Sequence, residues 1–160
     1  TNGTPLVVGL GLGMFGLGYA MATRRISSTA AVTATATNAT RLLTRRNPTT
    51  IAPTLARYVH ATEVASTPHR TLHISGQVGA NARGEWGSDA QVQCEYAFEN
   101  IKAVLRDADM DFQDLIKVTV FLTDRNQLGG YRVARDGALG DLEVASSLMI
   151  VKQLAVDEML

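Results

Sequence analysis

Positive and negative charge are kept apart along this chain, and that separation limits its possible folds more than any other feature. Thr1 to Thr62 holds six arginines and no Asp or Glu, while Glu63 to Leu160 holds all 15 acids against nine basic residues, a net charge of −6. The formal net charge of zero is therefore the sum of two physically different segments. An apolar share of 46% is too high for wholesale disorder, and 160 residues suffice for one ordinary domain plus an appendage. Cys94 is the only cysteine, which excludes an intrachain disulfide framework and a Cys-rich zinc site. Composition also excludes a collagen, a coiled coil and a polytopic membrane protein.

Residues 1–46 read as a low-complexity, acid-free extension. Pro5 to Ala22 is uncharged over 18 residues and is followed by Thr23-Arg24-Arg25. Eighteen residues at about 1.5 Å each fall just short of a hydrocarbon core about 30 Å thick, so residues 5–22 are a candidate membrane contact. The arginines would lie on its positive side. Five of the 18 are glycine, which lowers helix propensity and hydrophobicity together. Ala20-Met21-Ala22 has the form of a cleavage site, without a basic stretch ahead of it. From Ile26 to Pro53 the Thr, Ala, Ser and Arg content suits a mitochondrial presequence or a linker. Gly11-x-Gly13-x-x-Gly16 has the spacing of a dinucleotide turn, but no acid follows before Glu63 to hold a ribose hydroxyl. Gly9-x-x-x-Gly13 is an equally weak helix-contact motif. The extension is expected to be a targeting segment or membrane anchor, with a mitochondrial destination and a cytoplasmic one as the alternative.

The remainder reads as an α+β domain. Tyr58 to Val64 and Arg70 to Ser75 have strand character, the second with Leu72 and Ile74 on one face and Thr71, His73 and Ser75 on the other; the pair predicts a hairpin. Ser88-x-x-Gln91 has capping-box spacing, with Asp89 placed to favour the helix dipole. Ala90, Cys94, Ala97, Ile101, Leu105 and Ala108 then recur on one face of a long amphipathic helix. Cys94 on that face predicts a buried structural thiol. Ile116 to Thr123 is a strong strand, Asn126 to Leu139 a second helix weakened by Gly129, Gly130 and Gly137, and Ser147 to Val151 a last apolar strand. This order predicts helices packed on one face of a mixed sheet.

Three motifs, Ile74-Ser75-Gly76-Gln77-Val78, Asn100-Ile101-Lys102-Ala103-Val104-Leu105 and Asp114 through Asp124, resemble the YjgF/RidA family of reactive intermediate deaminases over residues 47–160. The resemblance implies a chorismate-mutase-like mixed β-sheet with two helices on one face, assembled as a homotrimer with clefts between subunits. It implies hydrolysis of imines and enamines, such as 2-aminoacrylate, to 2-keto acids and ammonia, without metal or organic cofactor. Such chemistry needs a cation for the substrate carboxylate and polar groups that set a water against the imine carbon. By resemblance the family's tyrosine matches Tyr58 and its serine Ser75, while its carboxylate-binding arginine falls on Ser146 and its cleft asparagine on Arg132. The domain reads as ending before the family's last strand, of the Val-Glu-Ile-Glu kind, which carries a catalytic glutamate.

Two functions follow. One is a deaminase of 2-imino and 2-enamino acids, or a diverged relative, with Tyr58, Ser75 and Arg132 as site residues and Arg132 as a replacement clamp. The other is a non-catalytic trimeric protein that binds a small imine, enamine or other carboxylate. Nucleic acid is not an expected partner, because the body's charge is −6 and its nine basic residues show no interleaved aromatic stripe. No metal is expected either. His69 and His73 stand about 13 Å apart on a strand, and Asp107, Asp109, Asp111 and Asp114 lack the glycine and terminal Glu of an EF-hand.

Overall fold

The computed structural model describes residues 17–25 and 42–160, and its core is built around the long helix announced by the sequence. In chain order the elements are β1 (Leu17–Arg25), β2 (Leu43–Arg46), β3 (Ala61–Val64), β4 (His69–Ile74), α1 (Ala90–Asp107), β5 (Leu115–Leu122), α2 (Leu128–Leu139) and β6 (Ala145–Ile150). One-turn 3-10 helices precede β5 and α2.

Helix α1 starts one residue later than the capping-box spacing predicts. Asp89, not Ser88, is the cap: its carboxylate accepts the Val92 N–H at 3.1 Å, and the Ser88 hydroxyl donates to that carboxylate. The Val92 N–H first, and then the Ser88 hydroxyl, hold the Asp89 carboxyl below its usual range. A charged cap satisfies an orphan N–H and meets the positive end of the helix at once, which a serine does not. Gln91 does not reach back; it donates to Glu95 at 2.9 Å. After α1, Asp111 and Asp114 form a capping box on the short 3-10 turn.

The four-stranded sheet has the order β4-β1-β5-β6, with β5 and β6 parallel and the other neighbours antiparallel. Both helices cover one face. Phe98, Ile101 and Leu105 from α1 and Tyr131 and Ala134 from α2 join Val118, Val120 and Leu122 in one buried core. The mixed α+β architecture with two helices on one face is as the sequence predicts.

Two expectations fail. The extension drawn over residues 1–46 contains a central strand: β1 lies between β4 and β5, with Ala20 opposite both Ile74 and Val118. Ala20 and Ala22 are fully buried, because their small side chains fit within the core beneath the helices. Residues 1–16 and 26–41, and with them most of the targeting and anchor reading, lie outside the described residues. No helix among the described residues is long and apolar enough to cross a membrane. The predicted hairpin also fails, although both of its strands exist. β3 pairs with β2, Thr44 opposite Glu63, and Arg46 forms an ion pair with Glu63; β4 turns away to pair with β1. Opposite charges across β2 and β3 come from the two sides of the charge boundary.

Two side chains of α1 hold the glycine-rich region between β4 and α1: Asn100 donates to the carbonyls of Val78 (3.2 Å) and Ala80 (3.0 Å), and Gln93 is the second. Gln93, buried at the start of α1, donates to the carbonyls of Gly87 (3.2 Å) and Glu158 (2.7 Å) and accepts the Leu160 N–H (3.1 Å). A Cβ at Gly79 would lie 2.3 Å from the Gln93 Cβ, so only glycine permits this approach.

Candidate functional site

Tyr58 sits half-buried in the segment leading to β3, at the β6 edge of the sheet. Its successor Val59 is buried and bridges to Ala145, with its N–H donating to the Val144 carbonyl at 3.4 Å. Its predecessor Arg57 donates to the Gly140 carbonyl (2.6 Å) and to Asp141 (3.0 Å), and lies 3.8 Å from the Asp136 carboxylate. These contacts tie the Tyr58 backbone to the connection between α2 and β6. The His60 ring meets the Tyr58 ring edge-on, 6.3 Å between centroids. Beside it, Asn47, Thr49, Pro53, Thr54 and His60 wall an open hollow of about 360 Å³. His60 is oriented by its N–H to Asn47 (3.0 Å) and its Nε2 on the Ala52 carbonyl (3.1 Å).

Ser146, the position that the resemblance sets against the family's arginine, pairs with Val118 in β6 and faces the helical layer. There it meets Tyr131, whose phenol burial pushes up; the Arg135 guanidinium and hydrogen bonding with Ser146 and Arg135 pull it the other way. Arg135 is itself buried, with its guanidinium 5.8 Å over the Tyr131 ring and its Nε and Nη2 on Asp136 at 2.9 and 2.7 Å. Arg57 and Arg135 thus converge on one carboxylate, that of Asp136. This network was not read from the sequence; the Tyr131-x-x-x-Arg135 spacing on α2 was its only visible trace.

Arg132 projects from the exposed side of α2 and makes no hydrogen bond or ion pair with the described residues. Its guanidinium is open to a ligand in a way that Arg135 is not. Ser75 follows β4 directly and is exposed; its carbonyl accepts from Gln77 at 3.2 Å. β4 and β6 are opposite edges of the sheet, three strand spacings or about 14 Å apart. Within one chain the fold therefore places Tyr58 at one edge and Ser75 at the other.

Other candidate groups are accounted for by packing. Cys94 is buried on α1, where desolvation first and Glu95 second push its thiol up to about 12, away from any nucleophilic range. Both His69 and His73 lie on β4, and His69 is engaged with the Thr67 carbonyl at 2.6 Å. Among the described residues no three His, Cys, Asp or Glu side chains come together as metal ligands. A groove of about 410 Å³ between α1 and α2, lined by Glu95, Glu99, Lys102, Phe112 and Val133, contains none of the three predicted site residues.

Comparison with known proteins adds ancestry to this geometry. The profile of the family described as Endoribonuclease L-PSP matches residues 49–160. TdcF of Escherichia coli K12, named as a reactive intermediate deaminase, is 36% identical over 84 residues, 52% of this chain and 59% of that protein. The 2-iminobutanoate/2-iminopropanoate deaminase of Mus musculus is 37% identical over 62 residues, 38% of this chain and 46% of the relative. The chain thus spans less than two thirds of the curated relatives it matches. Among solved structures, YyfB of Yersinia pestis, a Rid-family protein of unknown function, superposes with a TM-score of 0.66 at 31% identity, covering 75% of this chain and 93% of YyfB. E. coli TdcF crystallised with bound serine superposes with a TM-score of 0.52 at 27% identity, over 72% of this chain and 87% of TdcF.

Proposed function

Because the chain belongs to the YjgF/RidA family, the Endoribonuclease L-PSP family of the matching profile, we propose that it hydrolyses 2-imino and 2-enamino acids to 2-keto acids and ammonia. The observation that carries the reading is the family match over 49–160, which spans Tyr58, Ser75 and Arg132. Water adds to the imine carbon, the resulting carbinolamine loses its nitrogen as ammonia after that nitrogen takes a proton, and the hydroxyl oxygen becomes the keto oxygen. Tyr58 and Ser75 serve as the polar groups that orient the water and relay protons. Arg132 serves as the carboxylate clamp, its planar fork matching both oxygens.

The site residues stand on opposite sheet edges, which favours a cleft assembled between copies. Leu148, Met149 and Ile150 on the β6 edge strand are 36%, 40% and 42% exposed, an apolar strip suited to a neighbouring subunit. A homotrimer that sets the β6 edge of one copy against the β4 edge of the next brings Tyr58 and Ser75 together.

The test is release of 2-oxobutanoate and ammonia from 2-iminobutanoate generated in situ. The parent is expected to accelerate release over buffer. Arg132→Ala is expected to lose about 10- to 100-fold in kcat/KM, the worth of a charge-assisted bidentate contact. No acceleration by the parent would sink the deaminase reading. Thermal stabilisation by 2-oxobutanoate or serine without turnover would then support a non-catalytic binding protein, a reading favoured by Ser146 standing where the family's arginine is expected.

A further inference from the structure

Tyr58 and His60 flank Val59, whose side chain is buried and whose backbone bridges to Ala145. Alternation along an extended chain puts the phenol and the imidazole together on the side away from Val59. Their rings meet edge to face, 80° between planes. His60 is held at two points: its backbone N–H donates to Asn47 Oδ1 at 3.0 Å, and its Nε2 lies 3.1 Å from the Ala52 carbonyl oxygen. A carbonyl oxygen only accepts, so Nε2 carries the proton of the neutral ring and Nδ1 is left with its lone pair. Nδ1 has no hydrogen-bond partner among the described residues, and the ring lines the hollow of about 360 Å³. Asn47, Thr49 and Thr54 in the same wall are polar groups that can keep a water there. An imidazole oriented through one nitrogen, with the other free beside a site tyrosine, has the arrangement of a general base.

We propose that His60 carries the proton in imine hydrolysis: Nδ1 takes it from the attacking water and returns it to the departing nitrogen. This inference rests on the deaminase reading and names the group that moves the proton within it. The substrate enters as the iminium ion. As the water oxygen bonds to the iminium carbon, the C=N π pair moves onto nitrogen and a water proton passes to Nδ1. The imidazolium then protonates the carbinolamine nitrogen. The C–N bond breaks with its electron pair leaving on ammonia, the hydroxyl oxygen forms the C=O double bond, and the hydroxyl proton goes to solvent. Nδ1 begins and ends without a proton, and nothing is oxidised or reduced. The Ala52 carbonyl holds the Nε2 proton throughout, which fixes the tautomer on which both transfers depend.

The test compares the full parent chain with His60→Gln and His60→Ala, using 2-iminobutanoate generated in situ. Rates are corrected for buffer hydrolysis at the same imidazole concentration, and hydrogen exchange of α1 checks the fold. Glutamine can donate to the Ala52 carbonyl but cannot carry the proton, so His60→Gln is expected to lose about 100-fold in kcat with KM within about twofold. His60→Ala is expected to lose as much and to regain about tenfold, saturably, when imidazole is added, whereas Arg132→Ala gains nothing from imidazole. An active parent with His60→Gln within about threefold of it would overturn the proposal and leave the deaminase reading standing. A loss expressed in KM alone, or a folded His60→Ala that imidazole does not rescue, would also overturn it by making His60 a packing residue. An inactive parent would overturn the deaminase reading and this inference together.

Discussion

Strands β1 and β5 run side by side in the middle of one sheet, yet they are held there for different reasons. β5 is a β-branched, apolar strand whose Val118, Val120 and Leu122 all enter the core. It pairs in unbroken register with β6, from Lys117 opposite Ala145 to Leu122 opposite Ile150. β1 contributes alanines to the same core, pairs irregularly with β5 and carries two arginines at its end. β5 has its own reasons to be a strand. β1 is a strand because the gap between β4 and β5 requires one. Burial alone, similar in the two, does not reveal which strand specifies the fold.

A buried charge placed in each strand should separate them most widely. Val120→Asp puts an unpaired carboxylate at a site with no exposure and is expected to cost more than about 4 kcal/mol, abolishing the cooperative melt. Ala22→Asp, at an equally unexposed site, is expected to expel β1 while α1 retains most of its hydrogen-exchange protection. If both variants lose α1 protection equally, β1 is as integral as β5.

Alkaline pH probes the core beside β5. Cys94, which shares a small hollow with Val120 and Leu122, has its thiol raised from an ordinary 9.0 to about 12. A raised acid binds its proton more tightly in the folded state, so the contribution is fully present below pH 9 and fades as pH rises toward 12. Stability should fall by about 1.4 kcal/mol per pH unit over that window from this group, and Cys94→Ala should remove that part of the slope. The smallest effect is expected in β1: Thr23→Val removes the unpartnered hydroxyl and should stabilise by about 1 kcal/mol, read as a modest rise in Tm. A loss of stability would mean that the Thr23 hydroxyl is satisfied.

What could be read in the sequence follows the same division. α1, β5, α2 and β6 declare themselves through period and length, and the only shift at the start of α1 is from Ser88 to Asp89. β1 was hidden where a glycine-rich uncharged run meets two arginines, and neither alternation nor a β-branched run marks a strand there. The pairing of β3 with β2 was hidden too, because sequence neighbours are favoured as hairpins and the Arg46–Glu63 attraction crosses 17 residues. Tyr58 and Ser75 were legible only through family resemblance. The convergence of Arg57 and Arg135 on Asp136 required the fold, since it joins a loop to a helix separated by about half the chain.

In the proposed function, the imine-hydrolysing site is built from two sheet edges that meet between copies. The most direct measurement mixes two variants, Tyr58→Phe and Ser75→Ala, dissociates and reassociates them together, and follows 2-oxobutanoate release. Each variant alone is expected to be strongly impaired, and the mixture to regain a substantial fraction of parental activity, because some clefts then receive both an intact Tyr58 and an intact Ser75. Mixed assemblies with no more activity than either variant alone would contradict the claim.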